Sequence, residues 1–415
     1  MGIILRALNR LKNVRSFAWI SGKFPEEIAS VVLVSWTTLE TLRVTSMWNG
    51  TLHLPQLSGL SATVRVVESI DDSLSVCSYV FPDRLAFLST RDPHLVKPLA
   101  TPSLKMLAVY APFPFLNDPQ PDIFTGLPRH IVRLVTTSFD DVPGLGGFLR
   151  ESLELESLTL LHVASLSYLP CEGKLLSKPR DFKIGFCSPS TPTFDVRDTI
   201  RSLITFLGHH QNLRRFDLMF CHDPSSFNEH PEEQNSVWFI DVIKAICTLN
   251  DLHVLGITFP RLTKNDALQA LTELSEHANF LQGCAAIRLE GTGDAAIQDF
   301  MAKLKTSRFV ALSNLLHCHY VITRPLPLTV EDLVYRHGLN KLQQAVLFDT
   351  IYDIRPVGVS VGGGIIARPW SPTRVRWRTE ADFYSLDAHW LMSYWTIRQR
   401  NVIYPSSKPL GVAPE

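Results

Sequence analysis

"LELESLTLLHV", residues 153–163, is the stretch whose reading decides the fold. Leu155, Leu158 and Leu160 stand at the offsets L-x-x-L-x-L, and a short polar break follows. The last two are two residues apart, so in an extended strand they point to the same side. The first belongs to the turn that leads into the strand. A lone strand of this kind would say little. The same offsets return in "TLETLRV" (Leu39, Leu42, Val44), "SLKMLAV" (Leu104, Leu107, Val109), "NLRRFDL" (Leu213, Phe216, Leu218) and "DLHVLGI" (Leu252, Leu255, Ile257). Looser copies are "LKNVRSF" (Leu11, Val14, Phe17), "HIVRLVT" (Ile131, Leu134), "RDFKIGF" (Phe182, Ile184) and "GCAAIRLE" (Cys284, Ile287, Leu289).

The final residue of the pattern advances through positions 44, 109, 160, 184, 218, 257 and 289. Some intervals are about 24 residues and others roughly 32 to 39, with a degenerate unit expected around "DRLAFLS"; repeats of about 20–29 residues with these offsets are the leucine-rich signature. Between strands the chain must travel back, and three returns read as helices. "TIRSLITFLGHHQN" places Ile200, Leu203, Ile204 and Leu207 on one face, and "FIDVIKAICTLN" places Ile240, Ile243, Ile246 and Leu249 likewise. "TKNDALQALTELSEHANFLQ" is the third, with Thr263 or Asn265 as its cap. Each runs directly into a repeat strand. A doubly wound α/β enzyme also alternates helix and strand, but it needs a glycine-rich turn after a strand, and none is found. The expected fold is therefore α/β: a leucine-rich-repeat solenoid, a right-handed α/β horseshoe of irregular repeats with a C-terminal capping segment.

The expected organisation is an irregular solenoid over residues 1–350, an aromatic-rich cap over 351–403 and a flexible tail over 404–415. The cap follows from Trp370, Trp377, Trp390 and Trp395, and from the apolar core that an open solenoid end would expose. Three insertions interrupt the coil: the proline-rich loop "APFPFLNDPQPD" (Ala111–Asp122), the turn "VPGLGG" (Val142–Gly147) and the polar loop "CHDPSSFNEHPEEQNS" (Cys221–Ser236).

Bulk properties narrow the function classes. The chain has 415 residues, 45% of them hydrophobic, enough for a large core. Forty basic and forty acidic residues cancel, leaving no global field toward nucleic acid or anionic lipid. Seven scattered cysteines without C-x-x-C read as reduced, buried thiols. No window approaches ~18 uninterrupted apolar residues, so no membrane span is expected. The start, with Arg6, Arg10, Lys12 and Arg15 ahead of any acid, reads as an amphipathic helix leading into a strand at Val14–Trp19; a mitochondrial presequence is the alternative. Arg6 occupies the place where a myristoylation motif has Ser or Thr. Asn49-Gly50-Thr51 fits a glycosylation acceptor, discounted without a signal peptide. The expected address is cytoplasmic or nuclear.

Candidates for chemistry are thin. His317-Cys318-His319 has zinc-ligand residue types, but neighbours in a strand point oppositely. His209-His210 ends a helix, and Cys221-His222-Asp223 names triad residues that rarely meet when adjacent in sequence. "GTGD" (Gly291–Asp294) reads as a turn with Asp294 as a helix cap, and "VGGGI" (Val361–Ile365) lacks the rest of a phosphate loop. "RVRWR" (Arg374–Arg378) interleaves arginine and tryptophan as single-strand nucleic-acid surfaces do, and equally fits the wet face of an edge strand. No catalytic, cofactor-binding or metal-binding residue is assigned, and no cofactor is expected.

Units such as "NLRRFDL" and "TLETLRV", and the first strand "LKNVRSFAW", resemble the repeat part of fungal F-box proteins, particularly the divergent mushroom-type ones. The resemblance covers roughly residues 1–350. It implies a ubiquitin-ligase substrate receptor, partnered through a Skp1-type adaptor and a cullin. In that family an F-box precedes the repeats; here "KFPEEIASVV" (Lys23–Val32) has its flavour, but follows the first strand and is too short. Irregular unit length and the scarcity of Asn or Cys after the strands also depart from regular repeats, although Cys221 stands near that place.

The functional expectation is a protein–protein interaction scaffold that uses its concave strand face against a protein ligand. The outward strand positions are Glu40, Thr41, Arg43, Lys105, Glu156, Ser157, Thr159, Arg214, Arg215, Asp217, His253 and Arg288. Their mixed charge suits a protein better than a nucleic acid. An enzyme with an unrecognised site and a non-functional duplicate are the alternatives.

Overall fold

The strand inside the opening stretch spans Ser157–Val163, and it pairs parallel with the strand before it and the strand after it. In the computed structural model the described residues are 2–19, 28, 31–32, 36–44, 66–69, 85–90, 96–109, 122–137, 143–163, 166, 169, 176, 179–187, 196–221, 232–260, 262, 264–290, 300–313, 329–347, 350–357, 364–369 and 385–392. The chain divides into two compact units, Met1–His209 and His210–Glu415.

The first unit opens with helix α1 (Gly2–Arg10) and then runs through β1 (Ser16–Trp19), β2 (Thr41–Val44), β3 (Val66–Ser69) and β4 (Phe87–Thr90). It continues with α2 (Val96–Leu99), β5 (Met106–Val109), β6 (Arg133–Thr137), α3 (Leu145–Glu151), β7 (Ser157–Val163), β8 (Asp181–Cys187) and α4 (Val196–His209). Each strand from β1 to β7 pairs parallel with the next one in sequence. A parallel neighbour requires a crossover, so every connection carries the chain back to where the previous strand began. Repeated without a change of strand order, that is a solenoid of the leucine-rich-repeat type.

The register explains the spacing read from the sequence. The place held by Leu42 in β2 falls to Leu88, Leu107, Leu134, Leu158 and Phe182 in later strands, and all of these are buried. Each such side chain contributes about 1.5–3 kcal/mol by leaving water. The first apolar residue of each unit closes a turn. Leu39 N–H donates to Trp36 O at 3.2 Å, and Leu104 N–H to Thr101 O at 3.0 Å. Leu155 N–H donates to Ser152 O at 3.4 Å. The degenerate unit expected at "DRLAFLS" is β4, with Leu85 and Leu88 in the core.

The second unit contains β9 (Arg215–Cys221), α5 (Glu232–Cys247), β10 (Val254–Thr258), α6 (Lys264–His277), β11 (Ala286–Glu290), β12 (Phe309–Ser313) and β13 (Gln344–Leu347). These five strands are parallel in chain order, and β14 (Thr350–Val357) and β15 (Gly364–Pro369) then add antiparallel. The three helices read from periodicity are α4, α5 and α6, and α5 and α6 pack beside each other. In α4 the buried set is Ile200, Leu203, Phe206 and Leu207, with Ile204 half-buried, because Phe206 stacks on Phe182 at 4.6 Å between ring centroids.

Two sequence readings are modified. The loop expected over Cys221–Ser236 ends earlier, since α5 starts at Glu232. The turn expected at Val142–Gly147 is a turn at 143–144, with Gly144 at φ 81, followed at once by α3. Strands β3, β12 and β13 had no legible motif. The segment 351–403 includes β14 and β15, which extend the sheet past its last parallel strand, and a helical stretch at 386–392.

Candidate recognition surface

Strand alternation sends Leu158 and Leu160 inward and leaves Ser157 and Thr159 on the opposite, outward face. Parallel register stacks these outward residues in rows about 4.8 Å apart. The residue just before each strand forms a row of its own, because the backbone ladder extends one step beyond the strands. Glu40 N–H donates to Arg15 O at 2.8 Å, Glu156 N–H to Val132 O at 2.9 Å, and Arg180 N–H to Glu156 O at 2.8 Å. In the second unit His253 N–H donates to Arg214 O, Arg308 N–H to Ala285 O and Gln343 N–H to Arg308 O, each at 2.8 Å.

This pre-strand row is wet and charged. Arg15, Glu40, Lys105 and Arg180 are exposed in the first unit and Glu156 is partly so; Arg214, His253, Arg308 and Gln343 are exposed in the second. Lys105 reaches Glu154 at 3.4 Å, an exposed ion pair of the kind that contributes about 0–1 kcal/mol and so leaves both groups available. Of the residues expected outward, Glu40, Lys105, Glu156, Arg214 and His253 lie on this row. Arg15, Arg180, Arg308 and Gln343 share it and were missed; Arg180 stands two before Phe182 as Glu156 does before Leu158, so the offsets could have shown it, whereas the other three needed the strand register.

The strands themselves carry the remaining expected residues. Thr41 is partly exposed, and Arg43 lies in β2 with its side chain outside the described residues. Ser157 and Thr159 are buried although they face outward, as is Lys183. In the second unit Asp217 and Arg288 are also buried. They face each other across Gly256, the residue between them in the register. Arg288 Nη2 donates to the Asp217 carboxylate, and Nη1 donates to Thr258 Oγ1 at 3.1 Å. A Cβ at Gly256 would fall inside the Asp217 carboxylate and 3.0 Å from Leu391 Cδ2, so glycine is what lets the pair close.

The covering element in the second unit is the helical stretch 386–392. Ser385 caps it, its Oγ accepting from Ala388 N–H at 3.1 Å. Ala388, Leu391 and Met392, spaced i, i+3, i+4, pack on Val254, Ala286, Phe309, Ala311, Val346 and Ile351, with Trp390 beside them. All six sheet residues are outward positions of β10–β14. The stretch is pinned by Arg215, whose Nε and Nη2 meet Asp387 Oδ1 at 2.9 and 2.7 Å and whose guanidinium carbon lies 6.0 Å from the Trp390 ring centre. Beyond it, Gln344 Nε2 donates to Asp353 Oδ1 at 2.9 Å in a buried pair.

For chemistry, burial pushes the thiols of Cys247 and Cys284 up to about 12, and both cysteines are unbridged. Neither supplies a thiolate at neutral pH. His209 is exposed at the end of α4 and His210 is buried. Among the described residues no group of three His, Cys, Asp or Glu side chains is placed to hold a metal ion. His317-Cys318-His319, Gly291–Asp294, Arg374–Arg378, the continuation of Cys221 into His222-Asp223, and the tail 404–415 lie outside the described residues, as does most of Lys23–Val32. No described helix is long and apolar enough to cross a membrane.

No protein-family model matches the chain. No curated protein matches it either. Solved structures do. The chain is similar to the leucine-rich-repeat ectodomain of the plant membrane receptor kinase GASSHO1/SCHENGEN3 from Arabidopsis thaliana, solved in complex with Casparian strip integrity factor 2. The identity is 12% and the TM-score 0.26, over 74% of this chain and 48% of that one. It is also similar to a leucine-rich-repeat protein of Leptospira interrogans, at 13% identity and TM-score 0.31, over 82% of this chain and 86% of that one. The chain thus spans about half the length of the Arabidopsis ectodomain.

Proposed function

We propose that this protein is a protein–protein interaction scaffold that reads a protein ligand with the strand face of its repeats. The observation that carries the reading is the pre-strand row: exposed Arg15 and Glu40 joined by one backbone hydrogen bond, and exposed Lys105 and Arg180 held on a continuous ladder through Val132 and Glu156. A rigid backbone ladder spares binding the cost of ordering a loop, and the acids Glu40 and Glu156 among the bases suit a protein surface better than a phosphate backbone. The narrower form, a substrate receptor of a ubiquitin ligase working with a Skp1-type adaptor and a cullin, draws its support from the repeat motifs that resemble F-box proteins.

The test is affinity capture of the tagged chain from its native host, read by mass spectrometry, beside a charge-reversed K105E/R180E/E40K variant. Reproducible partners that the variant loses, at unchanged circular dichroism, are the expected result. Partners captured equally by both chains would place recognition elsewhere. An adaptor and cullin captured with the wild-type chain, and kept by the variant while the other partners are lost, would support the ligase form; their absence from a reproducible set would count against it.

A further inference from the structure

Helix α1 (Gly2–Arg10) is held on the fold yet keeps an apolar side in water. Trp36, itself buried, donates Nε1–H to Leu8 O at 3.3 Å and packs edge-on against Phe17 of β1, ring centroids 5.3 Å apart. That contact ties the helix to the first strand, with Leu5 and Leu8 half-buried. No residue of α1 is fully buried. Ile3 is 78% exposed, Ile4 46% and Leu11 50%, and Ala7 is exposed with them. Single exposed apolar side chains are ordinary on a protein surface. These four are not scattered. Ile3, Ala7 and Leu11 stand at i, i+4 and i+8 with Ile4 beside them, and Leu11 N–H donates to Leu8 O at 3.0 Å, carrying the coil one step past Arg10. They form one stripe.

Charge runs along the same helix. Arg6 and Arg10, one turn apart, line an edge of the stripe, and Lys12 follows its end; all three are exposed. None of them has an ion-pair partner among the described residues. The sequence places no acid before Glu26. Arg15 is exposed too, but Glu40 beside it on the pre-strand row offsets its charge. The forty bases and forty acids of the whole chain cancel, so any attraction is local to this helix. An apolar stripe edged by uncompensated cations calls for a partner that is negative along its length and apolar just beneath. A bilayer that carries anionic lipid has both properties at once.

We propose that α1 is a surface-lying anchor that seats this protein on an anionic bilayer. The stripe of Ile3, Ile4, Ala7 and Leu11 sinks to the boundary of headgroup and acyl chain, and Arg6, Arg10 and Lys12 reach the anionic headgroups. The stripe is short, so attachment is reversible and takes two signals together, apolar contact and charge. Because Trp36 ties α1 to β1, a seated helix presents the first strands to the bilayer in one orientation. A presequence has similar composition, but it is removed from the mature protein, whereas α1 is bonded into the fold. The inference goes beyond the scaffold reading and does not rest on it.

The experiment is co-sedimentation of the full chain with vesicles of phosphatidylcholine alone, and with about a third of it replaced by phosphatidylserine. The chain should bind the second kind and not the first. Raising salt from about 0.1 M to about 1 M, which shortens the Debye length from about 10 Å to about 3 Å, should release it. I3E/I4E should abolish binding, and R6E/R10E should weaken it at least about tenfold, both at unchanged circular dichroism. No binding by the wild-type chain, equal binding to both vesicles, or binding kept by either variant overturns the proposal. A wild-type dimer that I3E/I4E splits, without vesicle binding, makes the stripe a contact between copies and overturns it too. So does protein from the native host whose first residue lies beyond α1. Hydrogen exchange on the unmodified chain decides the matter if a variant does not fold. Amides of residues 4–9 should slow on the phosphatidylserine vesicles while those of Leu255 and Ile287 do not change; exchange in α1 that the vesicles leave untouched sinks the idea.

Discussion

Asp217, Gly256 and Arg288 show how much a single outward position can decide. An ion pair buried this completely pays heavily for leaving water, and it holds only while both partners are present. Removing one side, in D217A or R288A, should cost about 3–5 kcal/mol in denaturant melts, whereas an apolar D217L/R288M pair should recover most of that. G256A keeps both charges but forces a methyl group into the carboxylate, and should lower stability and quicken exchange of 386–392 together. His337 makes a separate prediction. Burial is the main cause that lowers its pKa from 6.5, Arg336 adds to it, and Asp332 opposes both. Its Nε2 meets no hydrogen-bonding partner among the described residues. The unfolded chain therefore takes up the proton first. Stability is full above about pH 6.5 and falls as the pH drops through the window below it. An H337L chain should show a flatter stability profile between pH 7 and 5.

At the scale of one repeat, the leucine offsets marked most strands because the inward positions are shared by every coil. The strands they missed fail the pattern for identifiable reasons. In the unit of β12 the first place of the motif is held by Ser307, buried and donating through its hydroxyl to Cys284 O at 2.8 Å. Hydrogen bonding replaces apolar contact there, so no leucine is needed. In β13 Ala345 holds the place that Leu255 holds in β10, too small to mark the motif. The outward face was harder to foresee. Reading it required knowing that Val254, Phe309 and Val346 are registered neighbours and that a segment far along the chain lies upon them. Alternation alone marks these positions as outward and says nothing of cover. Core truncations should follow the offsets: L158A and L255A should each cost about 2–5 kcal/mol. The Cys284 thiol, raised to about 12 and buried, should react with a thiol reagent only as fast as the strand region opens.

For the whole molecule, the relevant contrast is between two kinds of strand face. The pre-strand row is charged and open in both units, while several outward positions of β7 and β8 are buried in the first. In the second, the outward face of the strands is buried, apolar apart from pairs such as Asp217–Arg288, and carries the helical stretch 386–392. Fold class, helix–strand order and solenoid winding followed from periodicity; the division of the strand face into open and occupied parts did not, since it depends on contacts between residues over a hundred positions apart. Two surfaces of different chemistry predict two separable effects. Charge reversal on the row should alter salt dependence and association rate, measurable by surface plasmon resonance, whereas apolar changes at Leu391 or Phe309 should lower stability in denaturant melts.

The apolar face also has a history within each synthesis of the chain. β10 is complete roughly 130 residues before the stretch that covers it, which at about 5–20 residues per second is an interval on the order of ten seconds. Throughout that time the nascent protein lacks the cover that 386–392 later places on Val254, Ala286 and Phe309. A ribosome stalled after β13 should present a sticky sheet, and the seating of 386–392 should act as the step that renders it inert.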